Sequence, residues 1–177
     1  MLAVVAGLVV MALLPPPNIP ARVASDENLA TRLNGLIEDS AGATGARAFS
    51  VSAVDASVWL ATMVRRPAGS ENSLLKPERL YLVPGEGEAL VGLECALPWG
   101  QNVYLEGVYA PETTGRGTTL VPRRYSIGRL PLPGVSGYLV QRQFDGLASA
   151  LQVVLRPLSQ ASQIDVTPQA ITLRWVP

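Results

Sequence analysis

Three glutamates, Glu88, Glu94 and Glu106, are the side chains of this chain best suited to chemistry. They lie on neighbouring predicted strands, so their carboxyl groups could converge, and paired carboxylates perform general acid–base chemistry and glycoside hydrolysis. However, they occur among alternating apolar residues such as Leu93 and Cys95. Acidic residues in that pattern are typical of the solvated face of an antiparallel sheet. We therefore predict that the three carboxylates face solvent and are not catalytic.

Composition excludes several other chemistries. The 177 residues include no histidine, which removes Ser-His-Asp and Cys-His hydrolysis and histidine-rich zinc sites. Cys95 is the single cysteine, so an internal disulfide or a cysteine metal cluster is excluded, and its strand position predicts a small core residue. Lys plus Arg and Asp plus Glu number 14 each, so no net charge attracts nucleic acid. We expect no enzymatic activity, no cofactor, no metal and no nucleic-acid partner.

From Arg79 to about Ile127, apolar residues recur at every second position, which is typical of β-strands. The turn sequences between these strands are 84–87, 98–101 and 113–117. Short turns between consecutive strands predict an antiparallel meander. Gly92 and Gly107 inside strands indicate bends or the close approach of a neighbour, so we expect the sheet to be strongly curved.

Three segments have the spacing of apolar residues that is typical of amphipathic helices. The first follows a cap at Ser25 or Asp26, and the second follows the capping-box pattern from Ser52 to Asp55. The residues assigned to the core are Leu29, Leu33, Leu36 and Ile37 in the first helix, Val54, Val58, Leu60 and Ala61 in the second, and Val140, Phe144, Leu147 and Leu151 in the third. An extended linker, 128–134, precedes the third helix, and a closing hairpin is predicted at 163–175.

The N-terminal segment is almost wholly apolar and indicates a membrane. Residues 2–14 carry no charge, yet at 1.5 Å per residue they rise only roughly 20 Å, against about 30 Å of hydrocarbon. The segment is therefore a secretory signal or part of an uncleaved anchor, with a buried core helix as a third possibility. We favour the anchor because the positively charged N-terminal region of a secretory signal is missing, and because Arg22 does not fit the small-residue pattern of a signal-peptide cleavage site. The predicted divisions are an anchor or signal segment at 1–17, a proline-containing spacer at 18–24, and one extracytoplasmic α+β domain at 25–177.

The predicted fold is thus α+β: an N-terminal membrane helix followed by a strongly curved antiparallel sheet packed against two or three amphipathic helices. Three motifs, Leu33-Asn34, the run from Leu97 to Leu105 and the segment from Gly128 to Gly134, precede a helix and a terminal hairpin. This order resembles the YpmS-like family, bacterial membrane-anchored proteins of unknown function, over roughly residues 29–175. The layout is also similar to half of a tubular lipid-binding domain. The resemblance implies a layout and carries over no catalytic residue.

Two functions follow as alternatives. In the first, the protein is a structural or scaffold subunit that docks on a membrane complex through a sheet edge or an apolar patch. In the second, a groove between the curved sheet and the third helix binds a lipid or another apolar ligand. The large side chains expected to line that groove, or else to fill the core, are Trp59, Trp99, Tyr104, Tyr109, Phe144 and Leu147. In both cases we expect membrane attachment through residues 1–14, with the domain on the periplasmic or extracytoplasmic side.

Overall fold

The computed structural model describes residues 2–22, 24–42, 44–64, 75–114, 117–150, 156 and 159–176. The helices are α1 (Leu2–Leu13), α2 (Glu27–Ala41), α3 (Ala53–Val64) and α4 (Tyr138–Ala150). The strands are β1 (Arg47–Ser52), β2 (Lys76–Pro84), β3 (Ala89–Ala96), β4 (Asn102–Thr114), β5 (Gly117–Ile127), β6 (Leu130–Leu132), β7 (Gln163–Val166) and β8 (Ala170–Trp175). A single 3₁₀ turn, Gly134–Gly137, precedes α4.

The strands form two antiparallel sheets. The five-stranded sheet has the order β2-β3-β4-β5-β6, which confirms the predicted meander, and the register shifts near Arg79 and Val108. The prediction of one continuous sheet is wrong, because the closing hairpin pairs with β1 in a three-stranded sheet of order β1-β8-β7. In that sheet Phe49 lies opposite Leu173, so that β1 and β8 each gain a hydrogen-bonded neighbour far away in sequence.

Helices α2 and α3 pack on each other, and most of the residues predicted for their buried faces lie in the core. Asp26 caps α2 by accepting hydrogen bonds from two backbone amides, and the Ser52 hydroxyl accepts from the amide of Asp55 at 3.0 Å. Leu36 and Val54, however, are exposed, Val54 by 66%. For these two residues the predicted burial is wrong, because the buried faces of the helices are formed by neighbours such as Ala30 and Ala56.

One face of the five-stranded sheet, here called the inner face, packs against α4. Val140 and Phe144 from this helix meet Leu80, Leu93 and Cys95 in one buried cluster. Cys95 is a core residue, as predicted. Leu147 lies in α4, but its side chain is outside the described residues, and Leu151 lies outside them altogether.

The proline-rich segment before α4 was predicted to be an extended linker, 128–134. Its central residues instead form the edge strand β6. Gly128 has a φ of +56°, a value that glycine adopts readily, and it lets the chain reverse so that Leu132 pairs with Tyr125. Pro131 donates no backbone hydrogen bond, which an edge strand tolerates. This turn places Arg129 beside α1, where the Arg129 amide donates to Met11 O at 2.9 Å.

Within the described part of the chain, no helix has the length and apolar character needed to cross a membrane. Helix α1 has 12 residues and rises roughly 18 Å. Its last turn contacts β4, β5 and β6, whereas residues 6–11 are exposed in succession. Six successive residues sample every side of a helix, so this part of α1 projects away from the sheet.

Candidate functional site

The outer face of the five-stranded sheet, opposite α4, carries rows of polar side chains. Two-residue alternation places Tyr81, Gly92, Glu106 and Ser126 in one row across β2, β3, β4 and β5. Arg79, Glu94 and Tyr104 form the next row. The two rows therefore bring the carboxylates of Glu94 and Glu106 onto the same face of adjacent strands.

Glu106 is buried at 8% exposure and both of its carboxylate oxygens are occupied. Tyr81 Oη donates to Oε1 at 2.9 Å and Ser126 Oγ donates to Oε2 at 3.1 Å. Burial, followed by the nearby charge of Glu106, strongly raises the pKa of Tyr81. The phenol is therefore a fixed hydrogen-bond donor. Gly92 gives it room, since a Cβ on Gly92 would overlap the Tyr81 ring.

Glu94 is buried at 3% exposure and binds side chains from three segments. Arg22 Nη2 and Asn102 Nδ2 each donate to its Oε1 at 2.7 Å, and Arg79 Nη1 lies 4.0 Å from its Oε2. The hydrogen bond and the negative charge of Glu94 raise the pKa of Arg22. In this arrangement the carboxylate joins the N-terminal segment to the sheet.

The prediction that the three glutamates face solvent is wrong for Glu94 and Glu106. They are buried because polar partners satisfy their oxygens and because the N-terminal segment covers this face. Glu88 remains partly exposed and pairs with Arg124 at 3.1 Å. The oxygens of Glu94 and Glu106 thus accept hydrogen bonds that join neighbouring strands to one another and to the N-terminal segment.

Residues 11–22, here called the strap, lie across the outer face. Arg79 Nη2 donates to Pro20 O at 2.6 Å, and Arg129 Nε donates to Pro15 O at 2.9 Å. Pro16 is buried, and a Cβ on Gly128 would overlap carbonyl oxygens at the end of α1. The segment predicted as a proline-containing spacer, 18–24, therefore contacts the sheet through Pro20 and Arg22. Extended prolines leave their carbonyls unpaired along the chain, and these arginines supply the missing donors.

A cavity of about 720 Å³ opens beside the strap on the same face. Pro16, Leu90 and Val108 give it apolar walls, and the guanidinium-bearing residues Arg123, Arg124 and Arg129 also line it. Arg123 pairs with Glu112 at 2.6 Å, and both members of that pair are about half exposed. Among the described residues, Arg129 has no carboxylate partner. The cavity combines apolar walls with cationic groups, which suits a ligand that has both characters.

The residues predicted to line one sheet–helix groove are dispersed. Tyr109 and Phe144 meet edge to face with ring centroids 6.2 Å apart. Trp59 lies between α2 and α3, with Nε1 donating to Asn34 Oδ1 at 2.8 Å. The structure therefore places Trp59 in a different cluster from Tyr109 and Phe144.

The other members of the predicted groove are elsewhere. Trp99 is 70% exposed in the turn between β3 and β4. Tyr104 belongs to the outer face, since it lies opposite Glu94. The Leu147 side chain is outside the described residues.

The arginines of the outer face were not identified from the sequence. Arg79 and Arg124 occupy alternating strand positions, a pattern equally typical of solvated surface, and Arg129 lies in the turn between β5 and β6. The contacts of Arg79 and Arg129 depend on the strap, which lies more than fifty residues away from each of them in the chain. No local signal in the sequence pairs those segments.

No family model, curated protein or solved structure matches this chain. The resemblance to the YpmS-like family, and the weaker one to tubular lipid-binding domains, therefore remain predictions. Function has to be argued from the geometry of α1, the strap and the outer face.

Proposed function

We propose that this protein is a non-enzymatic, membrane-attached domain that serves as a structural subunit at the membrane surface. The observation that carries the proposal is the exposure of α1. The helix has no charged residue, and Leu8, Val9 and Val10 are exposed although they lie on different sides of it. Because residues 6–11 are apolar and exposed on every side of α1, this part of the helix requires an apolar environment, and one leaflet of a bilayer supplies it.

The position of α1 is fixed by the domain. The Arg129 amide holds Met11 O, and the strap continues from there across the outer face. Gly128 N also donates to Tyr104 O, so α1 leaves the sheet near the end that carries the β3–β4 turn. Exposed Trp99 lies in that turn, and tryptophan is the side chain preferred at membrane interfaces. These features support attachment in a defined orientation.

The expected affinity of α1 for lipid is modest. Full burial of a large aliphatic side chain contributes about 1.5–3 kcal/mol. Leu8, Val9, Val10, Met11 and Leu14 are each about half exposed, so each contributes about 1 kcal/mol, or about 5 kcal/mol together. A single myristoyl chain gives a comparable, reversible attachment. Helix α1 alone therefore supports a weak attachment that other contacts must strengthen.

The side chains of the outer face support a scaffold role better than a catalytic role. The carboxylates of Glu94 and Glu106 are engaged by fixed donors, and in the described residues every buried polar side-chain atom has a partner. The sheet–helix groove has less support as a ligand site, because Phe144 is buried against Tyr109. We further propose that the domain lies on the extracytoplasmic side and contacts a membrane complex.

Flotation with phosphatidylcholine vesicles tests the membrane attachment. The full chain should float, whereas Val9→Asp should remain in the aqueous fraction because an unpaired charge is costly in hydrocarbon. Val54→Asp is the matched control, since Val54 is an exposed apolar residue on α3. It should float like the unmodified chain. Equal flotation of both variants, or no flotation of the unmodified chain, would refute the proposal.

Protease treatment of intact cells tests the side of the membrane. An extracytoplasmic domain is cleaved without lysis, and a domain inside the cell is protected until lysis. Protection in intact cells would refute that part of the proposal and leave the vesicle result unaffected.

A further inference from the structure

We propose that the cavity beside the strap binds the headgroup phosphate of an anionic phospholipid. The inference rests on the proposed function, because it supplies the additional contact that the weak attachment through α1 requires. The cavity lies next to the point where α1 leaves the sheet, since Arg129 both lines the cavity and binds Met11 O. If α1 enters one leaflet, the cavity is at the depth of the lipid headgroups.

The cationic groups fit a phosphate. Arg123, Arg124 and Arg129 line the cavity together with the single carboxylate of Glu106. That carboxylate is buried, and its two oxygens already accept hydrogen bonds from Tyr81 and Ser126. Guanidinium groups bind phosphate through paired, charge-assisted hydrogen bonds. Among the residues that line the cavity, three guanidinium groups outnumber one carboxylate, and the ion-pair partners Glu88 and Glu112 are not part of this lining.

The existing partners of these arginines can be exchanged. The Arg123–Glu112 and Arg124–Glu88 pairs are surface pairs with substantial exposure on both sides. Such pairs contribute little because water and salt screen them. Arg129 uses Nε for Pro15 O, and no hydrogen bond or ion pair of the described residues uses its two terminal nitrogens. A phosphate can therefore be bound without breaking a buried interaction.

The apolar walls suit a phospholipid better than free phosphate. Pro16, Leu90 and Val108 line the cavity beside the arginines, and a hydrated inorganic anion gains nothing from such walls. The glycerol and the first methylenes of a lipid would displace water from them. The combination favours a lipid phosphate over a soluble one.

The test compares vesicles of phosphatidylcholine alone with vesicles that also contain phosphatidylglycerol, using the full chain. Phosphatidylglycerol should increase the partition coefficient, and Arg124→Gln should remove about fivefold of that increase, the effect of about 1 kcal/mol per basic residue at an anionic surface. Arg124 does not contact the strap in any hydrogen bond of the described residues, so this variant should keep its fold. Arg32→Gln is the matched control, because Arg32 is exposed on α2.

A specific phosphate site requires particular arginines and a forked donor, whereas general charge attraction requires only positive charge. Arg129→Lys keeps the charge but loses the forked donor, so it should lose affinity for the phosphatidylglycerol vesicles, with circular dichroism confirming that it is folded. Equal losses in Arg32→Gln and Arg124→Gln, or full retention by Arg129→Lys, would overturn the inference. Release from vesicles by millimolar inorganic phosphate at constant ionic strength would assign the site to free phosphate and also overturn it.

The two proposals fail separately. If phosphatidylglycerol has no effect but phosphatidylcholine vesicles still bind the chain, the phosphate site is refuted and the attachment through α1 stands. If neither vesicle binds, the proposed function fails as well.

Discussion

Replacement of Gly92 by alanine tests the packing of the outer face most directly. A Cβ at this position would stand 2.5 Å from Cε1 of Tyr81 and closer still to two further ring carbons. Tyr81 is one of the least exposed residues, and its hydroxyl is held by Glu106. The ring therefore has to move, and when it does, the buried carboxylate loses a donor.

The expected cost follows from two contributions. Forcing an extra methyl group into a packed site costs about 1–3 kcal/mol, and losing a hydrogen bond to a charged group costs roughly 1.5–3 kcal/mol. We expect Gly92→Ala to lower the free energy of unfolding by about 2.5–6 kcal/mol. Since a domain of this size has about 5–15 kcal/mol in total, the variant should be marginally folded.

Urea unfolding in a mild non-ionic detergent, followed by tryptophan fluorescence, measures this cost. With a slope of about 2 kcal/mol per molar, the midpoint should fall by about 2 M. Gly35→Ala is the matched control, because open space surrounds Gly35 on α2. The control should raise the free energy of unfolding by about 0.8–1 kcal/mol through helix propensity.

A double variant separates the clash from other effects. In a Tyr81→Ala background the ring is gone, so adding Gly92→Ala should cost almost nothing, and the two effects should be strongly non-additive. A Gly92→Ala variant as stable as the parent, or an equal cost in both backgrounds, would refute the packing described for this face.

Three further predictions concern stability. Burial, with the charges of Glu78 and Glu94, raises the pKa of Cys95 to about 12. The contribution of Cys95 to the free energy of unfolding should therefore be constant below about pH 8.5 and then fall by about 1.4 kcal/mol per pH unit. Cys95→Ala should lack this first decline in urea titrations at stepwise pH. Trp59→Phe should cost about 1 kcal/mol in urea unfolding, because the hydrogen bond to Asn34 is lost. Glu94→Gln should cost about 1.5–3 kcal/mol and lower the melting temperature far more than Arg22→Gln does, since Glu94 is buried and Arg22 is exposed.

For each of these three predictions, one experimental outcome would contradict the reasoning. The sign for Cys95 follows because the unfolded thiol loses its proton at lower pH than the folded one, so unfolding is favoured as pH rises; a decline unchanged in Cys95→Ala would exclude this cause. For Trp59, full additivity with Asn34→Ala would mean that the two side chains do not interact. Equal melting temperatures for Glu94→Gln and Arg22→Gln would contradict the burial of the carboxylate.

Local pattern was sufficient to predict most elements. Alternation from Arg79 to Ile127 predicted β2 to β5, and the cap at Asp26 and the hydroxyl of Ser52 mark the starts of α2 and α3 as expected. These signals are strong because each depends on residues two to four positions apart, whose side chains share a face. The same signals wrongly placed Leu36 and Val54 in the core, because periodicity defines a helix face but not how much of that face is covered by neighbouring elements.

Pairing between distant segments could not be predicted. β1 forms a sheet with β8, more than one hundred residues later in the chain, and the Gly128–Arg129 turn converts a proline-rich linker into the edge strand β6. Closing such long loops costs chain entropy that only the assembled core offsets. The residue pattern of one segment does not indicate which distant segment will pair with it and offset the entropy of loop closure.

Residue pattern and composition were enough to establish an uncharged apolar N-terminal helix, an antiparallel meander, amphipathic helices and the lack of histidine chemistry. Only the folded chain shows that the strap covers the outer face, that Glu94 and Glu106 are buried, and that three arginines and apolar side chains line one cavity beside α1. Helix and strand periodicity is a property of neighbouring residues, whereas the burial of a charge depends on donors from remote segments that satisfy it.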